Sequence, residues 1–302
     1  GRIALSGEAG DHGYDGLQVW NFVLRGPSNP GNVRAMFGAV RSNARTARTN
    51  ISSDVWEAVN ENWMKLDKLL ARPVGPTRVG EVLVAIRRAG TQVHGAFDGS
   101  MLRDEGYHFS RAGTFIERAD STARILDMKY FLLLPSLSYV GSSLDNVQWE
   151  NVLRSVAGER AYRWLNAGRM DPRGIAEFLI LDGRFPRSLA FCVDKLRSNL
   201  FGLAHEYGFE TSAHELMRAL GTTFHHSNIE SILEGGLHEF ITGFIAANQQ
   251  VRYLSVGVPP IPPDEPTYPR AFENTSVAFL IFAGIYLMIS MTAAILREQI
   301  TA

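Results

Sequence analysis

The chain has 302 residues, with 30 Lys+Arg against 31 Asp+Glu and a net charge of −1, a length that fits about two domains or one long helical one. That balance lacks the basic surplus of a non-specific nucleic-acid binder, and 45% apolar with 20% charged residues excludes wholesale disorder. The single cysteine, Cys192, excludes an intramolecular disulfide and a thiolate zinc cage.

The chain opens Gly1-Arg2-Ile3-Ala4, and no basic region followed by an apolar one marks a signal peptide. From residue 14 to 250 the apolar spacing is three and four, the period of helices packed along one face. Trp56, Val59, Trp63, Leu66 and Leu70 form one stripe. Phe109, Ala112, Ile116, Ala119, Ala123, Leu126 and Tyr130 form a longer one. Asn29-Pro30 reads as an N-cap followed by proline at the first helical position, and Asp54 sits early in the Trp56 helix, where the dipole favours an anion.

Two stretches align without gaps at a constant offset: FVLRGPSNPGNVRAMFGAVRSN from Phe22 and FLILDGRFPRSLAFCVDKLRSN from Phe178. Phe22 matches Phe178, Pro30 matches Pro186, Val33 matches Leu189, and Arg41-Ser42-Asn43 matches Arg197-Ser198-Asn199. The expected fold is all-α: an antiparallel helical bundle built from two duplicated helical units. The helix around Ile116 precedes the second unit. Its counterpart would lie before Gly1, which points to an N-terminally truncated chain.

The densest charged segment, residues 103–127, offers the candidate surface. On the Ile116 helix Glu117, Arg118 and Arg124 are expected on the side away from the apolar seam. Arg111 and Arg118 share a face, and Asp120 and Arg124 are placed for an i,i+4 pair. Two readings stand: a solvated face with local ion pairs, or an Arg/Glu surface that receives a partner or an anionic substrate. The run Arg41, Arg45, Arg48 beside Asn43 is likewise a phosphate-binding stripe or a solvated face.

The eight histidines build no recognisable metal set. His214-Glu215 and His238-Glu239 begin an H-E-x-x-H pattern that fails at Arg218 and Thr242. His225-His226 with Glu230 reads as a helix-start pair or as an i,i+4 metal pair. Cys192 shares a face with Leu189, Leu196 and Leu200, so it reads as a buried apolar residue rather than a nucleophile. No phosphate loop or nucleophile elbow is present, and no cofactor is expected.

Residues 256–270, VGVPPIPPDEPTYPR, hold six of the 13 prolines and read as a stiff linker. Residues 277–296, VAFLIFAGIYLMISMTAAIL, carry no charge. As a helix they would be about 30 Å long, the thickness of a bilayer core. The expected organisation is a helical domain over 1–255, a Pro-rich linker over 256–275, and a transmembrane helix with a short tail over 276–302.

ERADSTARILD (117–127), RSNARTARTNISSDVWEAVNENW (41–63), MLRDEGYHF (101–109) and FLILDGRFPRSLAFCVDKL (178–196) together resemble the bacterial alpha-E family, over about residues 18–245. The resemblance implies a helical protein bearing a Glu-Arg motif, with a second such helix near the N-terminus that this chain lacks. Where the family has Ala-Arg-Glu-Asn-Ala-Arg, this chain has Val40-Arg41-Ser42-Asn43-Ala44-Arg45. It implies a cytoplasmic body and an accessory role, more a binding than a catalytic one, in a peptide-synthesis or peptide-modification system. The implied partner is an ATP-grasp-type ligase or a transglutaminase-like protein. Carried over by residue, the motif points to Glu117, Arg118, Asp120 and Arg124, with Asp104 and Glu105 before them. Residues 249–302 resemble the C-terminal end of capsule polysaccharide export inner-membrane proteins. Two functions are therefore expected: an accessory protein tethered to the bacterial inner membrane through 277–296, or a component of capsule polysaccharide export.

Overall fold

The computed structural model describes residues 16–131 and 143–256, with side chains over 16–129 and 145–251. Every regular element among them is a helix. The chain divides into two compact units at Met101/Leu102.

In the first unit, α1 (Gly16–Arg25), α2 (Val33–Thr46), α3 (Ser53–Leu70) and α4 (Pro76–Ser100) follow one another, and each packs on the next. The buried stripe of α3 is Val55, Ala58, Val59, Asn62, Leu66 and Leu70, while Trp56 and Trp63 are only half-buried at its edges. Asp54 lies in the first turn of α3, behind the N-cap Ser52, as the dipole argument expects.

The second unit is built around α5 (Glu105–Phe131), which packs on α6 (Ser143–Ser155), α9 (Leu189–Tyr207) and α12 (Leu237–Val256). The short helices α7 (Glu159–Leu165), α8 (Pro172–Ile180) and α11 (Ile229–Glu234) join these elements, and α10 (Ser212–His226) lies on α9 and α12. The stripe from Phe109 to Leu126 is buried throughout, together with Leu179, Leu189, Leu196, Ile241 and Phe244.

The duplication is visible in the backbone. α1 and α8 begin at corresponding residues, as do α2 and α9, and α3 and α10 end at corresponding residues. The turn between the first two helices repeats its hydrogen bonds. The side chain of Asn32 accepts from the Ala35 amide (2.8 Å) and donates to the Gly26 carbonyl (3.0 Å). The hydroxyl of Ser188 accepts from the Phe191 amide (3.1 Å) and donates to the Asp182 carbonyl (2.5 Å). An N-cap that also ties back the preceding turn fixes where the chain reverses, and it does so in both units. Past Leu70 and His226 the correspondence slips, because α11 occupies the connection in the second unit only.

Three expectations need correction. Pro30 and Pro186 do not open helices, which begin at Val33 and Leu189 behind the caps Asn32 and Ser188; the prolines stiffen the preceding turn. His225 and His226 end α10 rather than start a helix. The transmembrane helix, and with it the inner-membrane placement, is not supported: no helix among the described residues is long and apolar enough to cross a membrane. The longest, α4 with 25 residues and α5 with 27, carry charged side chains along their length. Residues 277–296 lie outside the described residues, as does most of the stretch resembling export proteins; its first residues, 249–256, are the end of α12.

Candidate functional site

The structure separates the candidate residues into three places. Asp104 and Glu105 mark the start of α5. The Asp104 carboxylate accepts from the Tyr107 amide (3.1 Å) and so caps the helix, and Glu105 accepts from the Tyr207 phenol of α9. Burial and the Glu105 carboxylate both push the Tyr207 phenol well above its ordinary range. Glu117, Arg118, Asp120 and Arg124 lie further along α5, about 28 Å from Glu105 at the far residue. Arg41, Asn43 and Arg45 belong to α2 in the other unit. Arg41 donates to Asn60 of α3 (2.7 Å), Asn43 is half-buried, and Arg45 is exposed in the last helical turn.

The motif itself is split by depth. Arg124 is exposed and pairs with Asp120 at 2.6 Å, the local ion pair that the spacing predicts. Glu117 is 4% exposed, against the expectation that it faces away from the core. The reason is that α5 has packed neighbours on several sides, so Ser110, Thr114, Phe115, Ser121 and Thr122 are buried as well as the apolar stripe. Arg118 is half-buried and donates to the Pro186 carbonyl at 3.0 Å, and Thr122 donates to the Arg187 carbonyl at 2.8 Å. The second half of the motif thus clamps the turn that precedes α9.

Next to that clamp lies a group that residue spacing alone does not show. Arg118 and Arg111 both stand over the ring of Phe115, at 5.4 and 4.9 Å from its centre. Phe115 meets Phe191 of α9 edge-on at 6.1 Å, and the Lys195 ammonium stands 5.4 Å over Phe191. Three cations are thereby set along two adjoining rings on the α5–α9 seam. Each ring contact helps to hold its cation in place on the seam. The heptad spacing of Arg111 and Arg118 was the available signal; Phe191 and Lys195 lie on a helix remote in sequence.

The histidine patterns resolve into structure. His214 is buried, with Nδ1 accepting from the Thr211 amide (2.9 Å) and Nε2 facing the Leu200 carbonyl (2.8 Å), the arrangement of a neutral ring that staples α10 to α9. His238 meets Asp127 at 2.7 Å. Among the described residues no group of three His, Cys, Asp or Glu side chains could hold a metal ion.

Cys192 is buried on α9 with Leu189, Leu196 and Leu200, as its spacing predicts. Burial pushes its thiol up to about 12, outweighing the opposite pull of Arg118 and Arg187. A thiol that stays protonated is a poor nucleophile. Iodoacetamide at pH 8 should therefore label the native chain far more slowly than the denatured chain, which mass spectrometry reads directly. Labelling of native protein at the rate of a free thiol would contradict the burial. The sign for stability follows. The unfolded thiol ionises near its ordinary 9.0 and the folded one only near 12, so the contribution is complete below pH 9 and is lost as pH rises towards 12.

A family model described as a predicted alpha-helical domain with a conserved ER motif matches residues 3–253. No curated protein and no solved structure matches the chain.

Proposed function

The chain belongs to the Alpha-E family, a membership that fits a helical accessory protein, and on that premise we propose that its α5–α9 seam docks the partner enzyme of a bacterial peptide-synthesis or peptide-modification system. The partner is an ATP-grasp-type ligase or a transglutaminase-like protein, the association that the family resemblance implies. The observation that supports this reading is the division of labour inside the motif. Glu117 is taken into the core, whereas Arg118 stays half-exposed, held against the Pro186 carbonyl and over Phe115 beside Arg111. A residue pair whose acid supports the fold and whose base stands at the surface suits recognition better than acid/base chemistry.

The geometry also selects the variants for a test. Glu117→Ala empties a buried site and would perturb folding, so it does not report on docking. Arg118→Gln combined with Lys195→Gln alters the seam and leaves the core stripe intact. In a pull-down with the purified ligase or transglutaminase-like protein of the same bacterium, this double variant is expected to retain at least about tenfold less partner than the native chain. Equal retention, with unchanged circular dichroism, would falsify docking at this face.

A further inference from the structure

The first unit carries a charge separation of its own, independent of the docking role above. Residues 16–53 hold five arginines and no acidic residue or lysine, inside a chain whose net charge is −1. Two of the five are engaged at the far end: Arg25 on the Ala71 carbonyl and Arg34 on Asp67. Arg41, Arg45 and Arg48 remain, spaced by four and then three residues along one stripe. On α3, Asp54, Glu57 and Glu61 form the matching acidic stripe, and they line an open groove of about 390 Å³ between α3 and α4. We propose that these two stripes meet between two copies of the chain, in a two-fold dimer that sets α2 of each copy against the α3–α4 groove of the other.

Within one chain the stripes do not meet. The side of α3 that faces α2 is taken by Trp56, Asn60 and Trp63. Arg48 stands 5.4 Å over the Trp56 ring, Arg41 donates to Asn60 (2.7 Å), and a methyl on Gly38 would lie 3.3 Å from the Trp63 ring. The three acids lie further round the helix, on its α4 side, and all three are exposed, as are Arg45 and Arg48, while Arg41 is half-buried. Among the described residues Arg41, Arg45, Arg48, Asp54 and Glu57 make no ion pair, and Glu61 makes one, with Lys65 at 3.4 Å. From α4 the groove receives only the uncharged Gln92, Gly95 and Ala96. Lys65, and Arg88 a turn before Gln92, stand at the Glu61 end, so the acidic field is strongest at Asp54 and Glu57.

The register selects a second copy as the occupant. α2 and α3 run antiparallel, with Arg34 against Asp67, Gly38 against Trp63 and Arg41 against Asn60. By the same count Arg41, Arg45 and Arg48 lie level, within about a residue, with Glu61, Glu57 and Asp54. A two-fold axis parallel to the helices keeps every residue at its own height and lays α2 of one copy antiparallel to α3 of the other. Each arginine then faces the acid at its own level across the interface, and the symmetry makes the contact twice. Read in opposite directions, both stripes step by four and then three residues and span about 10 Å. Met64, 48% exposed and on the same outward face as Glu57 and Glu61, lies level with Gly38 and adds apolar contact where the other copy presents no side chain.

The test is sedimentation velocity on the full chain from about 1 to about 200 μM. A monomer–dimer equilibrium is expected, weakened several-fold on raising salt from about 50 to about 500 mM. Arg45→Glu and Glu57→Arg, both at exposed positions, should each weaken the dimer by about tenfold or more. The decisive sample mixes these two variants. Alone, one sets acid against acid and the other base against base. Mixed, they form one reversed pair and one native pair, so a heterodimer of near-native strength is expected. Pairing of Arg45 with Glu57 inside a single chain would gain nothing from mixing. A native chain that stays monomeric, a dimer indifferent to both reversals, or a mixture no stronger than its components overturns the proposal.

Discussion

Lys129→Met is expected to cost about 3–5 kcal/mol of stability, the usual consequence of stranding a buried charge. The ammonium lies 2.5 Å from the Asp145 carboxylate and 5.3 Å over the Trp149 ring, with Lys129 at 0% and Asp145 at 3% exposure. The methionine fits the same volume, so the loss is electrostatic rather than steric. Asp145 sits in the first turn of α6, where the helix dipole helps the carboxylate but cannot replace a counter-ion. The double variant Lys129→Met/Asp145→Leu should recover most of the loss, because a well-packed apolar pair removes both desolvation penalties. Urea denaturation of the three proteins gives the comparison. A single variant within about 1 kcal/mol of the native chain would show that the pair is not a buried link between α5 and α6.

Gly202→Ala is the second large effect, about 1–3 kcal/mol destabilising, although alanine is the better helix former. A methyl at this position would stand 2.5 Å from the His108 ring. The α9 backbone is fixed by its own helix, and the ring is held by His108 Nδ1 to Asn199 Oδ1 at 3.2 Å. Relief therefore requires breaking the α5–α9 contact at its His108 end. His108→Ala in the Gly202→Ala background should restore stability beyond the His108→Ala single variant, because the alanine then contributes only its helix propensity. Thermal melts of the four proteins complete the cycle. If Gly202→Ala melts at or above the native temperature, the close approach of α5 to α9 is wrong. The corresponding residue of the first unit is Thr46, exposed at the end of α2, so the glycine requirement belongs to the second unit alone.

Part of the candidate site was legible in the residues and part was not. The Asp120–Arg124 pair followed from an i,i+4 spacing, and the buried face of Cys192 from its leucine neighbours, because both depend on one helix. Glu117 was misplaced for the converse reason. A periodic pattern shows the most apolar face of a helix, but not how many partners surround the helix. α5 packs on α6, α9 and α12, so its burial extends past the stripe and takes in the motif's own glutamate. The membrane assignment rested on residues 277–296, whereas the described helices that have the length to span a bilayer carry charge.

The sequence by itself determined the helical class, the repeat of the Phe22 and Phe178 stretches at a constant offset, the core stripe from Phe109 to Leu126 and the family. All of these rest on interactions within a few residues of one another or on a direct match of the chain. Only the tertiary structure decided that Lys129 meets Asp145 in the core, that His108 needs Gly202, and that Arg111, Arg118 and Lys195 gather over Phe115 and Phe191. Those facts depend on which helix lies against which, at separations of 16 to 94 residues. No local periodicity carries that information, because it is set by packing of whole helices and by the rotamers that packing leaves open.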